Sequence, residues 1–131
     1  MTDTNAQERW NKGLEVVDQV YGAGSAGMMA GLENIPYVAE TVEHLFADIW
    51  SRPGLSMRDK RLMVIGATTM LGRADLLAIQ LAGAIVNVEL SDQQLAEMPL
   101  LMLFYAGAGN TTALHQAITA AKKRAAELKP A

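Results

Sequence analysis

Residues 76–86 read LLAIQLAGAIV, and ten of the eleven are apolar or glycine. The exception is Gln80, at the centre of the run. A primary amide carries four hydrogen-bonding sites and loses free energy when they are buried unmet. The run has no charge on any face, and a helix that is apolar all round belongs deep inside a structure. A helix is predicted from about Ala74 to Asn87. The one polar side chain of the run 76–86 is either a core amide, bonded to backbone or to a neighbouring subunit, or a group that meets a ligand.

Helical spacing extends outward in both directions. Trp10, Leu14, Val17 and Tyr21 recur along one stripe of a first helix that ends at Gly22. A flexible glycine-rich segment, GAGSAGMMAG (22–31), follows. Gly22, Gly24 and Gly27 match G-x-G-x-x-G, but no strand precedes them, so a dinucleotide site is rejected. A second helix opens near Pro36 and stops before Pro53, with Val38, Val42, Leu45 and Ile49 as its inward stripe. A third starts at Ser56, in a capping-box pattern with Asp59 replacing the usual Glu or Gln, and runs to about Leu71. A fifth opens with the capping box SDQQ (91–94) and reaches about Tyr105, with Pro99 expected to kink or split it. A sixth runs from about Thr111 to Leu128. The fold class is all-α, a bundle of about six helices in a single domain over 1–131. The helices after Ser56 are apolar on more than one face, which predicts an obligate homo-oligomer.

Half of the 131 residues are hydrophobic and only 5% are aromatic, so the core is built from aliphatic side chains and methionine. Net charge is -3 and the basic residues are scattered, which argues against a nucleic-acid partner. The absence of cysteine removes disulfides, thiolate metal sites and thiol redox chemistry. The polar N-terminus, without an apolar signal core, predicts a cytoplasmic protein. The uncharged run 98–108 is too short to span a membrane.

The segment WSRPGLSMRDKR (50–61) resembles the W-x-R-P-G-L-S-x-R-x-x-R pattern of the carboxymuconolactone decarboxylase family. LGRADLLAIQLAGAIVN (71–87), SDQQLAE (91–97) and YAG (105–107) resemble three further family segments, and Gly13 and VYG (20–22) fit upstream. The resemblance implies an alkylhydroperoxidase D-like helical bundle assembled as a homotrimer or homohexamer, with no cofactor. It also implies departures. The family's histidine falls on Gln80, the glutamate of its G-E-V-W segment on Asp48, and the glycine after G-A-x-x-N on Val88. The cysteine pair of the peroxidase branch falls on Arg73 and Leu76, so peroxidase chemistry is excluded.

Several side chains are candidates for chemistry. Gln80 has no proton to exchange near neutral pH but can bond a carboxylate or carbonyl. Arg52, beside Trp50, suits bidentate carboxylate recognition or holds the turn between helices. Arg61 precedes Gln80 by the spacing the resemblance gives between an active-site acid and the histidine; it favours an anionic ligand or pairs with an acid across an interface. Glu40, His44 and Asp48 share one helix face, as an acid–base pair (His44 with Asp48), a metal site, or a solvated or inter-subunit face. Tyr105 places a hydroxyl in a cavity or fills space, Asn87 fits a binding or a structural role, and His115 borders the apolar stripe of the last helix. The candidate catalytic set is His44, Asp48 and Tyr105, and the substrate-binding set is Trp50, Arg52, Arg61, Gln80 and Asn87, with no metal. Two functions follow. One is a decarboxylase-like enzyme acting on a small oxygenated carboxylate or lactone by decarboxylation or related lyase or isomerase chemistry. The other is a catalytically silent small-molecule-binding or assembly protein on the same scaffold.

Overall fold

The computed structural model describes residues 4–131, and it contains six helical rods joined by short connections. Helix α1 spans Thr4–Tyr21 and is followed by a 3-10 turn at Ser25–Met28. The second rod begins as α2, Pro36–Glu40, and continues without a break as a π-helix over Thr41–Ile49. Then come α3 (Met57–Met70), α4 (Ala74–Val86), α5 (Asp92–Ala106) and α6 (Ala108–Ala125). No strand occurs among the described residues. None of their helices is long and apolar enough to cross a membrane.

Local chemistry sets the boundaries. The Ser56 hydroxyl accepts the Asp59 amide proton at 3.0 Å and caps α3. Ser91 and Gln94 form the reciprocal capping box that opens α5. Pro99 lies inside α5 without dividing it. The glycine-rich segment is pinned by its neighbours: the Ala26 amide donates to Asp18 Oδ1 at 2.7 Å, and the Ala23 amide to the Lys129 carbonyl at 2.8 Å.

The second rod corrects the expected stripe. Val38 and Val42 are buried, but Leu45 and Ile49 are 41% and 47% exposed; Phe46, Ala47 and Trp50 take their places. Winding is the cause. The Trp50 amide donates to the Leu45 carbonyl five residues back at 2.8 Å, so each turn holds more residues than in an α-helix. Burial then recurs at 38, 42, 46 and 50 rather than at α-helical spacing. Gly13 lets α1 approach this segment, because a Cβ there would lie 2.0 Å from the Val42 carbonyl oxygen.

The largest cluster surrounds α4, with Leu77, Leu81 and Ala84 packed on Leu114, Ala117 and Ala121 of α6. A second joins Val16, Val17 and Val20 of α1 to Phe46 and Trp50. The outer side of α5 is different. Leu100, Leu101, Phe104 and Tyr105 are all more than half exposed, and Leu95 is the only fully buried residue of that helix.

Candidate functional site

Gln80 lies in a polar cluster buried where α1, α3 and α4 meet. Its centre is Arg61, whose side chain is fully buried. The guanidinium grips Glu89 in a two-pronged pair, Nε to Oε1 at 2.9 Å and Nη2 to Oε2 at 3.1 Å. Nη2 also donates to the Val20 carbonyl, and Nη1 donates to Gln80 Oε1 at 3.1 Å. The guanidinium carbon also stands 5.9 Å from the Trp50 ring centroid, within cation–π range. Gln80 Nε2 donates to the Tyr21 hydroxyl oxygen at 3.1 Å. Asn87 Nδ2 donates to the Gln19 carbonyl at 2.7 Å and reaches Glu89 Oε2 at 3.4 Å.

Backbone geometry makes room for this arrangement. A Cβ on Gly83 would stand 2.2 Å from the Val20 carbonyl oxygen and 2.8 Å from Arg61 Nη1. Glycine at 83 therefore lets α1 and the guanidinium lie against α4. Val88 adopts φ 54°, the left-handed region, just past the end of α4. The reversal places Asn87 and Glu89 on either side of it, and both side chains turn into the cluster. Burial raises the Tyr21 phenol above its ordinary pKa, while the Arg61 charge and the Gln80 hydrogen bond oppose that rise. The hydroxyl is protonated at neutral pH.

The other candidates lie elsewhere. His44 Nδ1 is 2.7 Å from Glu40 Oε2, and both side chains are exposed. Asp48 is exposed and accepts two bonds from Arg52, Nε to Oδ1 at 2.9 Å and Nη2 to Oδ2 at 3.0 Å. Arg52 holds its carboxyl below the ordinary range. Asp48 thus pairs with Arg52, and no hydrogen bond joins it to Gln80 or Arg61. Among the described residues, no group of three or more potential ligands is placed to hold a metal ion. Tyr105 is 75% exposed on α5, and His115 is exposed on α6.

Trp50 and Arg52 also border an apolar groove of about 390 Å³, together with Leu45, Ile49, Leu55 and Met63. Lys60 stands at its edge and donates to the Trp50 and Arg52 carbonyls at 2.8 and 2.6 Å, which fixes the turn between the π-helix and α3. The proposed binding residues therefore form two groups: Trp50 and Arg52 at the groove, and Arg61, Gln80 and Asn87 in the buried cluster. Trp50 belongs to both, since it lines the groove and its ring centroid lies 5.9 Å from the Arg61 guanidinium carbon. The sequence reading missed Tyr21 and Glu89. Tyr21 was placed only on an apolar stripe. Glu89 had one available signal: it is an acid following the G-A-x-x-N turn, within reach of whatever α3 presents there.

This is an all-α protein with an alkylhydroperoxidase D-like helical bundle, in which a buried arginine–amide–phenol chain occupies the centre. The model of the Carboxymuconolactone decarboxylase family matches residues 36–122. The chain is 30% identical over 119 residues to 4-carboxymuconolactone decarboxylase of Acinetobacter baylyi, covering 86% of this chain and 87% of that protein. The chain belongs to the carboxymuconolactone decarboxylase family.

Proposed function

We propose that this protein takes a small oxygenated carboxylate or lactone and carries out decarboxylation or closely related lyase or isomerase chemistry on it. The observation that carries this reading is the apolar groove beside the polar cluster. Its wall is aliphatic and aromatic, with the cations Arg52 and Lys60 at the edge. A carboxylate with an apolar ring matches such a surface, the ring against Trp50 and the charge towards the cations. The similarity to a protein named as a decarboxylase of a carboxylated lactone supports the same substrate class. In this reading His44, Asp48 and Tyr105, all exposed in one chain, serve chemistry only where a second copy brings them to a site.

The exposed apolar side of α5 supports self-association. Phe104 at 85% and Leu100 at 66% exposure form part of an apolar surface of the kind that marks interfaces. We propose a homotrimer or homohexamer, which sedimentation equilibrium measures directly.

A specific observation favours a second reading, a catalytically silent binding or assembly protein. Gln80 supplies no titrating proton, and the Arg61 charge is already met by Glu89. The deciding experiment is a panel of lactone carboxylates, including 4-carboxymuconolactone, assayed for carbon dioxide release and for ligand-dependent thermal shifts. Turnover supports the enzyme. Thermal shifts without turnover support the silent binder, and neither response overturns both.

A further inference from the structure

The hydrogen bonds in the buried cluster have a fixed direction. Arginine carries only donors, so Arg61 must take the oxygen of the Gln80 amide rather than its nitrogen. The amide NH2 is thereby turned towards Tyr21, and the phenol oxygen must accept. An oxygen that accepts from Gln80 keeps its own proton for another acceptor. The remaining members of the cluster are engaged: Glu89 by Arg61 and Asn87, and Asn87 by Glu89 and the Gln19 carbonyl. Arg61 and Gln80 are buried, whereas Tyr21 is only partly so. Its ring packs edge-on to Phe46, with centroids 5.7 Å apart. It shares an apolar cluster with Trp50 and Val64, both of which line the groove.

We infer that Tyr21 is the ligand-contacting donor of this protein: the Arg61–Gln80 chain aims its hydroxyl proton at a carboxylate or lactone carbonyl oxygen of the bound molecule. Gln80 acts as a positioning residue. It sets the direction of the chain and carries the polarisation of the arginine charge to the phenol. A hydroxyl polarised in this way donates more strongly than the same phenol would without the amide, and the acceptor it suits is an anionic or carbonyl oxygen. This role rests on the small-carboxylate reading proposed above. A neutral imidazole at position 80 would also offer one acceptor and one donor, but protonation turns both its nitrogens into donors, whereas the amide keeps an acceptor for the arginine and a donor for the phenol at every pH near neutrality.

The experiment uses the whole protein and paraconic acid, a stable γ-lactone carboxylate, with binding measured by calorimetry. Tyr21→Phe removes only the hydroxyl and is expected to weaken binding about tenfold. Gln80→Glu keeps the shape but replaces the amide donor with a carboxylate. That carboxylate accepts from both Arg61 and Tyr21, so the phenol proton turns inward. Affinity is then expected to fall as far as in Tyr21→Phe, although the hydroxyl is still present. In the Tyr21→Phe background Gln80→Glu should then add no further loss, and a further loss there, coming from the new charge rather than from the phenol proton, overturns the directed chain. Wild-type binding that Tyr21→Phe leaves unchanged overturns the donor while the small-carboxylate reading stands. Wild-type protein that neither binds paraconic acid nor turns over any lactone carboxylate overturns both.

Discussion

Two arginine–carboxylate pairs in this protein have nearly the same local geometry and opposite surroundings. Arg52 holds Asp48 through two bonds of 2.9 and 3.0 Å on the outer face of the second rod. Arg61 holds Glu89 through two bonds of 2.9 and 3.1 Å among the central helices. The first pair is one turn apart in sequence, open to water and screened by salt. The second joins residues 28 apart and is removed from water, with Gln80, Asn87 and the Val20 carbonyl bonded to it. Bond lengths alone would rank them as equals. Burial separates them, because an ion taken out of water is strongly destabilising whenever its partner is removed.

The sharpest way to break this contrast is to delete one partner at each site. Arg61→Met leaves Glu89 buried without its cation and should cost about 3–5 kcal/mol in urea unfolding. The double variant Arg61→Met with Glu89→Leu should recover much of that loss, since the buried charge goes with its partner. A double variant no more stable than Arg61→Met would mean that the guanidinium acts chiefly through packing and through Val20 and Gln80. Gly83→Ala tests the same cluster from its backbone. The new methyl meets the Val20 carbonyl oxygen and the guanidinium, and about 1–3 kcal/mol of destabilisation is expected in the same assay.

The contrast also marks how far the sequence could be read. Helix positions were legible because apolar spacing and capping residues are local: the Ser91–Gln94 box and the Ser56 cap fall where the sequence placed them. The stripe on the second rod was not, because π-winding over Thr41–Ile49 is a departure from the period on which the reading depended. At the site, the spacing of Arg61 and Gln80 follows the family pattern, but the sequence offers Arg61 an anionic ligand or an acid across an interface, and in the structure it bonds Gln80 and an acid of its own chain, Glu89. Glu89 and Tyr21 were not legible, since they join through a left-handed turn at Val88 and through the docking of α1. Glu40, His44 and Asp48 illustrate the converse. Their spacing on one face was real, but shared exposure let each carboxylate take a neighbour of its own.

Val88 offers a smaller test of the buried pair. A β-branched residue in the left-handed region is strained by about 1–2 kcal/mol, and its side chain is 88% exposed, so little burial compensates. Val88→Gly relieves the strain but adds freedom to the unfolded chain, and a net gain of about 1 kcal/mol is expected by thermal unfolding. If the turn serves only to bring Asn87 and Glu89 into the cluster, ligand binding should be unchanged in this variant.

The smallest expected effect belongs to the outer pair. Hydrogen bonds from Arg52 are the main reason the Asp48 carboxyl lies below its ordinary value, with the charge of Arg52 adding to it. Because the folded value is the lower one, this pairing favours the fold above the unfolded value of about 4 and loses its effect as pH falls through the folded value. The carboxylate lies on the exposed surface, so the readout is its titration midpoint by carbon-detected NMR rather than a melting temperature. Arg52→Gln should raise that midpoint towards the ordinary aspartate range, and high salt should narrow the difference between the variant and the parent protein. High salt should leave the coupling between Arg61 and Glu89, measured by the double-variant cycle, nearly unchanged, because screening ions do not enter a packed interior. Equal salt sensitivity at both sites would mean that water reaches Arg61, and the distinction between the two pairs would collapse.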